Sequence, residues 1–201
     1  MPGPRGPGWV PFVGLTGGIG AGKSTALAAL DELGAATLSA DAVVHELLAT
    51  AEVKSALAAR LGERAIGADG EVDRSAVAAH VFENGDDRAW LEGMLWPRVG
   101  ARIAEWRTEV RPPSLAAIVE VPLLFEAGME AAFDATIAIV ADEDLRAERA
   151  AARGHAAVAE RAGRQLSQSE KARRADYAVR NDGPREELKA ELSRVLATIR
   201  S

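Results

Sequence analysis

Short apolar runs alternate with longer amphipathic stretches along this chain. The runs are Phe12–Leu15, Ala35–Leu38, Leu115–Val121, Ala135–Val140 and Tyr177–Val179. Each is bounded within a few residues by Gly, Pro, Asp or Asn, the pattern of buried strands. Between the first two, Lys23 to Leu33 consists of helix formers with Leu27, Leu30 and Leu33 on nearly one face, and Gly34 stops the helix. Asp41 opens another helix through Leu48. Glu52 to Trp106 reads as helical but irregular, broken early by Gly62, Gly67 and Gly70. Asp73 is the expected N-cap of a helix over Arg74–Phe82. Asp86 to Val110 predicts a long amphipathic helix interrupted at Pro97. Asp142 caps the helix after the fourth strand, which carries Arg146, Arg149 and Arg153 on one face. Ser167 and Glu170 make a capping-box pattern. Gly183 and Pro184 then start the last helix, with Pro at its first position.

Strands alternating with helices imply βαβ units around a parallel sheet of about five strands, an α/β fold. The helical stretch between the second and third strands is the natural subdomain. Composition bounds the rest. The chain has 201 residues, 48% of them hydrophobic, enough for one sizeable core with a small subdomain. Its net charge of -6 argues against a nucleic-acid polymer as partner, which needs a basic footprint. It leaves room for a nucleotide, since one basic pocket suffices. Cysteine is absent, which excludes disulfides, thiolate metal sites and cysteine nucleophiles. His45, His80 and His155 show no metal-ligand spacing. The apolar runs are too short to span a bilayer, so no membrane partner is expected. The Pro- and Gly-rich start has no signal-peptide core and reads as a disordered arm over residues 1–9. A cytoplasmic protein is the default expectation.

Chemistry enters between Thr16 and Thr25. Gly17-Gly18-Ile19-Gly20-Ala21-Gly22-Lys23-Ser24 fits the G-x-x-x-x-G-K-[ST] phosphate loop. Gly18, Gly20, Ala21 and Gly22 let successive backbone N–H groups turn inward toward phosphate oxygens. The helix from Lys23 adds its N-terminal dipole. Lys23 is expected at the β and γ phosphates of ATP, Ser24 at Mg²⁺, and Thr25 near the α phosphate. The pattern arises by accident in roughly 1% of chains this long, and here the required strand and helix flank it. A GTPase N-K-x-D segment is missing, and Asp31-Glu32-Leu33-Gly34 ends a helix instead of following a strand. The arginines after the fourth strand fit a nucleotide-kinase plan, in which arginines close over the transferring phosphate.

Further segments make the resemblance specific. Val13 to Thr25, Ala40-Asp41 after the second strand, Val121-Pro122-Leu123-Leu124-Phe125-Glu126 with Gly128, Gln165 with Ser167, Glu170 and Lys171, Ala175-Asp176 and Asn181-Asp182-Gly183 occur in order. Together they resemble the dephospho-CoA kinase family from about Phe12 to the C-terminus. The resemblance implies ATP-dependent phosphorylation of the ribose 3′-hydroxyl of dephospho-CoA, giving coenzyme A and ADP. It implies a five-stranded parallel phosphate-loop kinase core over residues 10–201, a helical CoA-binding insertion over about 42–112 and a lid over about 149–172.

The family's catalytic aspartate falls on Asp41, where a carboxylate can accept the hydroxyl proton; the bland reading is a helix cap. Arg74 matches a family arginine and is either an acceptor contact or an exposed helix residue. Arg149 and Arg153 match arginines at the start of the lid. They either stack on adenine and steady phosphate charge, or form a solvated face with Glu148 and Glu160. Arg161 matches a lid arginine, and Asn181 an asparagine near the base. Glu120 ends a strand where other phosphate-loop enzymes keep a metal-linked acid, a position at which the family varies. The chain departs from the family pattern at Ser39 (usually Asp), His45 (Arg), Trp96 (His), Gly154 (Asp) and Arg180, all outside Lys23, Ser24 and Asp41. Oligomeric state is not legible in the sequence.

Overall fold

The computed structural model describes residues 8–152 and 165–201. The chain divides into two units, one built from Met1–Ser39 with Trp106–Ser201 and the other from Ala40–Glu105. The first holds a five-stranded sheet of β1 (Phe12–Gly17), β2 (Ala36–Ser39), β3 (Ala117–Glu120), β4 (Ala135–Val140) and β5 (Tyr177–Arg180). The strands lie in the order β2-β3-β1-β4-β5, and every pair is parallel. A parallel sheet needs cover on both faces, and the three central strands β3, β1 and β4 are accordingly almost wholly buried.

One face carries Val13, Leu15, Ile118, Ile137, Ile139 and Val179, all buried. They pack with Leu30 of α1 (Lys23–Glu32) and with Leu188, Leu192, Leu196 and Ile199 of the C-terminal helix (Arg185–Arg200). The i, i+4, i+8 spacing of those leucines puts them on one stripe facing the sheet. On the opposite face Gly14 lies so close to Leu124 and Phe133 that an added Cβ would stand 2.5 Å from Leu124 Cδ1. Val10, Val110 and Ala117 bury a smaller cluster there with Phe12, Ala36 and Trp106.

β1 feeds a connection to β2 on one side of the sheet, and β4 feeds one to β5 on the other. Adjacent strands whose chains leave in opposite directions open a crevice at their carboxyl ends, where α/β sheets hold ligands. Here that crevice lies between the loop after β1 and the helix after β4, α6 (Glu143–Ala151).

The second unit is helical: α2 (Ala40–Leu48), α3 (Ala51–Leu61), α4 (Arg74–Glu83) and α5 (Gly85–Glu109), whose end from Trp106 belongs to the sheet unit. Val53, Leu57 and Leu61, one turn apart on α3, bury with Ala65, Val77 and Leu95. Asp73 caps α4 by accepting the Ala76 N–H at 2.9 Å. The glycine-rich stretch before it closes as a bridge between Ile66 and Val72. Asp87 accepts from Arg60 and lies 2.7 Å from His80 Nε2, and those two bonds hold its carboxyl below the usual range.

Two expectations are corrected. α5 runs through Pro97 without interruption. The ring removes one N–H from the ladder, and the next turn gains a bond from the Arg98 side chain to the Met94 carbonyl at 2.7 Å. Pro184 is the N-cap of the last helix, not its first residue, because its ψ of 156° is still extended. Residues 1–7 of the expected arm, and Arg153, Gly154 and Arg161 of the expected lid, lie outside the described residues. After that gap the chain resumes into α7 (Gln168–Arg174), which Ser167 caps by accepting from Glu170 N–H at 3.1 Å. The C-terminal helix is α8.

Candidate active site

The phosphate loop is shaped by backbone that side chains would block. Gly22, at φ 89°, is the N-cap of α1 and offers no side-chain cap, and the first turn holds no acidic residue. An α-helix offers its first N–H groups no intrahelical partner, and a helix start without a side-chain cap suits an anion. A Cβ on Gly22 would stand 2.0 Å from Asn181 Nδ2, and one on Gly20 2.3 Å from the Arg146 carbonyl oxygen. The loop is thus pressed between the segments after β4 and β5. Arg146 Nε donates to the Ile19 carbonyl at 3.0 Å, bracing its outer turn. Lys23 Nζ reaches back across the loop to the Gly18 carbonyl at 3.3 Å. Ser24 is exposed on the first turn of α1.

A cleft of about 350 Å³ opens beside the loop, lined by Gly22, Thr25, Arg149, Asn181, Gly183 and Arg185 among others. That is the lower end of the range for small-molecule pockets. Asn181 is buried and donates from Nδ2 to the Ala21 carbonyl at 2.8 Å. Its own carbonyl accepts from Arg149 Nη1 at 3.0 Å. Asp182 accepts the Asp142 N–H at 2.6 Å, which with Arg180 and Arg149 holds its carboxyl below the usual range. The loops after β4 and β5 are therefore tied to each other and to the phosphate loop. At the rim Glu32 bonds Arg185 and Lys189, which bring its carboxyl down to about 2.

Two carboxylates stand behind the loop. Glu120, buried at the carboxyl end of β3, accepts from Ser39 Oγ at 2.8 Å, its register partner on β2. Glu126 lies 2.9 Å from the fully buried ammonium of Lys171. Burial pushes that ammonium below the ordinary lysine range, and Glu126 opposes the shift.

A sequence model of the dephospho-CoA kinase family matches residues 11–187. The chain belongs to the dephospho-CoA kinase family. The match covers the helical unit and, in the sheet unit, the phosphate loop, the residues lining the cleft and the Glu126–Lys171 pair. A dephospho-CoA kinase of Deinococcus radiodurans is 38% identical over 97% of this chain and 95% of its own length. One of Geobacillus kaustophilus is 32% identical over 92% of this chain and 94% of its own. Among solved structures, a Thermus thermophilus protein superposes with a TM-score of 0.81 at 32% identity, covering 94% of this chain and 98% of its own. A dephospho-CoA kinase from Campylobacter jejuni does so with a TM-score of 0.67 at 25% identity, covering 93% and 96%.

Of the residues that the family resemblance singles out, Gly18, Gly20, Ala21, Gly22, Lys23, Ser24, Thr25, Arg149 and Asn181 gather around the loop and cleft of the sheet unit. Arg149 is half-buried and bonds the Asn181 carbonyl. Asp41 and Arg74 belong to the helical unit. Asp41 is exposed in the first turn of α2, and Arg74 opens α4, exposed, with Nη1 3.5 Å from His45 Nδ1. The sequence names Arg146, Glu120, Glu126 and Lys171, but not the partners they meet here. Arg146 carried a signal in its spacing from Arg149, one face of α6; the partners of the other three are too distant in sequence for any local pattern.

Proposed function

We propose that this chain transfers the γ-phosphoryl group of ATP to the ribose 3′-hydroxyl of dephospho-CoA, the last step of coenzyme A synthesis. The observation that carries the reading is the uncapped N-terminus of α1 behind Gly22, with Lys23 folded over the loop and Asn181 pinned to Ala21. It is an anion site with a cleft of small-molecule size beside it. Membership of the family supplies the acceptor.

In this reading the loop N–H groups and Lys23 hold the β and γ phosphates, and Arg149, Asn181 and Thr25 border the nucleoside. Asp41 is the base. It lies two residues past the end of β2, and the carboxyl ends of such strands are where ligands collect. Asp41 takes the proton as the 3′-oxygen bonds to the γ phosphorus; the bond from that phosphorus to the β-phosphate oxygen breaks, and ADP leaves. Arg74 and Arg161 contact the acceptor, and the helical unit Ala40–Glu105 is its subdomain. Hard oxygen donors suit Mg²⁺, which keeps water and substrate oxygens as most of its shell. The exposed Ser24 hydroxyl and the Glu120 carboxylate fit that need, with Ser24 as the direct ligand. Bound there, Mg²⁺ supplies charge neutralisation on the phosphates. Among the described residues no helix is long and apolar enough to cross a membrane, and a cytoplasmic enzyme is part of this proposal.

The test is ADP release from Mg-ATP with and without dephospho-CoA. Stimulation by dephospho-CoA and not by other ribonucleosides supports the reading. ATP binding without turnover on dephospho-CoA refutes it.

A further inference from the structure

Among the described residues Lys171 is the largest fully buried side chain, and the chemistry proposed above makes no use of it. A buried ammonium is costly unless its hydrogens find oxygen partners. Here they find three kinds. Nζ donates to the Pro122 carbonyl at 2.7 Å, approaches Glu126 at 2.9 Å, and reaches Thr16 Oγ1 at 3.4 Å. Thr16 is itself buried and donates from the same hydroxyl to the Pro122 carbonyl at 3.3 Å. The ammonium, the hydroxyl and the carbonyl therefore close a triangle.

The corners of that triangle have consequences for the loop. Thr16 is the penultimate residue of β1, and the phosphate loop departs directly after it. Pro122 follows Val121, whose N–H bonds the Leu15 carbonyl at 2.9 Å and ends the pairing of β1 with β3. Lys171 thus pins the two strand ends from which the loop and the Glu120 edge project. Glu126 also accepts the Leu166 N–H at 2.7 Å, fixing the approach to α7 that delivers Lys171. A binding constellation has to be held within about 0.5 Å of its productive geometry, because hydrogen bonds lose strength quickly outside their range.

We propose that Lys171 is a positioning residue for ATP: its ammonium, seated on Thr16 and Pro122, sets the point at which the phosphate loop leaves β1. The inference rests on reading that loop as the nucleotide phosphate site. A purely structural ion pair behaves differently, since apolar groups of similar volume can replace it with little loss of stability.

That contrast gives the experiment. ATP and dephospho-CoA affinities are measured by direct titration on the full chain, together with thermal unfolding. The variants are Lys171→Met combined with Glu126→Gln, Thr16→Val and Thr16→Ser. Gln keeps an acceptor for the Leu166 N–H, and Ser keeps the hydroxyl. The double variant and Thr16→Val should each weaken ATP binding about 5- to 10-fold, within the range that one ordinary hydrogen bond supports. Dephospho-CoA affinity should not move, and Thr16→Ser should restore ATP affinity. ATP affinity within about twofold of the parent in both the double variant and Thr16→Val, on the scale where tenfold marks one lost bond, overturns the proposal. Equal weakening for both ligands also overturns it, because that is general loosening. If the double variant does not fold, the Thr16 pair decides. The readout is binding, so a chain that binds ATP but never phosphorylates dephospho-CoA refutes the proposed function and leaves this comparison standing.

Discussion

Gly22→Ala probes the tightest contact of the site. Gly22 sits at φ 89°, a conformation that costs a residue with a Cβ about 1–2 kcal/mol. The new methyl would lie 2.0 Å from Asn181 Nδ2, so the amide has to turn away. Turning breaks its 2.8 Å bond to the Ala21 carbonyl, in a place where both residues are buried. Leaving a buried group unpaired costs about 1–3 kcal/mol. The substitution alone should therefore destabilise the folded chain by about 2–5 kcal/mol, the sum of the two ranges. Asn181→Ala alone should cost only the hydrogen-bond part. With Asn181 already shortened, Gly22→Ala has nothing to collide with and pays only for its φ. The double variant should thus be more stable than the sum of the singles by about 1–3 kcal/mol. Urea unfolding of the four proteins, with ATP titration alongside, measures this coupling. Effects that add within about 0.3 kcal/mol, the behaviour of independent sites, would refute the packing of Asn181 against the loop.

Asp41→Asn should lower kcat by about 10²–10⁴, the usual worth of a positioned base, with ATP affinity unchanged; a variant that only loses stability would leave Asp41 no more than a favourable charge in the first turn of α2. Glu126→Gln should destabilise the fold by about 3–5 kcal/mol by leaving the Lys171 charge buried and unpaired, and adding Lys171→Met should recover most of that in urea unfolding. Glu32 is held at about 2 by Lys189 and Arg185, against 4.5 unperturbed. A depressed carboxyl stabilises fully above its unfolded value and loses that contribution as pH falls toward its folded one. Tm of the parent should consequently drop more steeply from pH 4.5 downward than Tm of Glu32→Gln, and parallel curves would contradict the assignment.

Features written in local chemistry were legible beforehand. β4 runs from Ala135 to Val140, as its mainly apolar run implies, and Asp73, Asp142 and Ser167 each cap the helix expected of them. A cap is a side chain bonding backbone two or three residues away, so nearby sequence contains all of it. The same holds for the loop glycines. Pro97 shows where local rules stop: its missing N–H is a small loss beside the packing of Leu95 and Ile103 that holds α5 together. The back of the site was not legible for the same reason in reverse. Arg146 meets Ile19, and Lys171 meets Thr16, across most of the chain. In sequence Lys171 belongs to the Gln165–Lys171 pattern of the family, which does not say what its ammonium touches. Only the folding of α7 onto β1 makes it a buried cation. Glu120 and Ser39 likewise become partners only through the β2–β3 register.

The central claim concerns where the phosphate goes. Incubation with Mg-ATP carrying a labelled γ-phosphate and dephospho-CoA, followed by separation of the products and location of the label, reads it directly. The account predicts one label per acceptor on the ribose 3′-oxygen, with coenzyme A and ADP formed in equal amounts. Label released as free phosphate, or found at any other position of the acceptor, would contradict it.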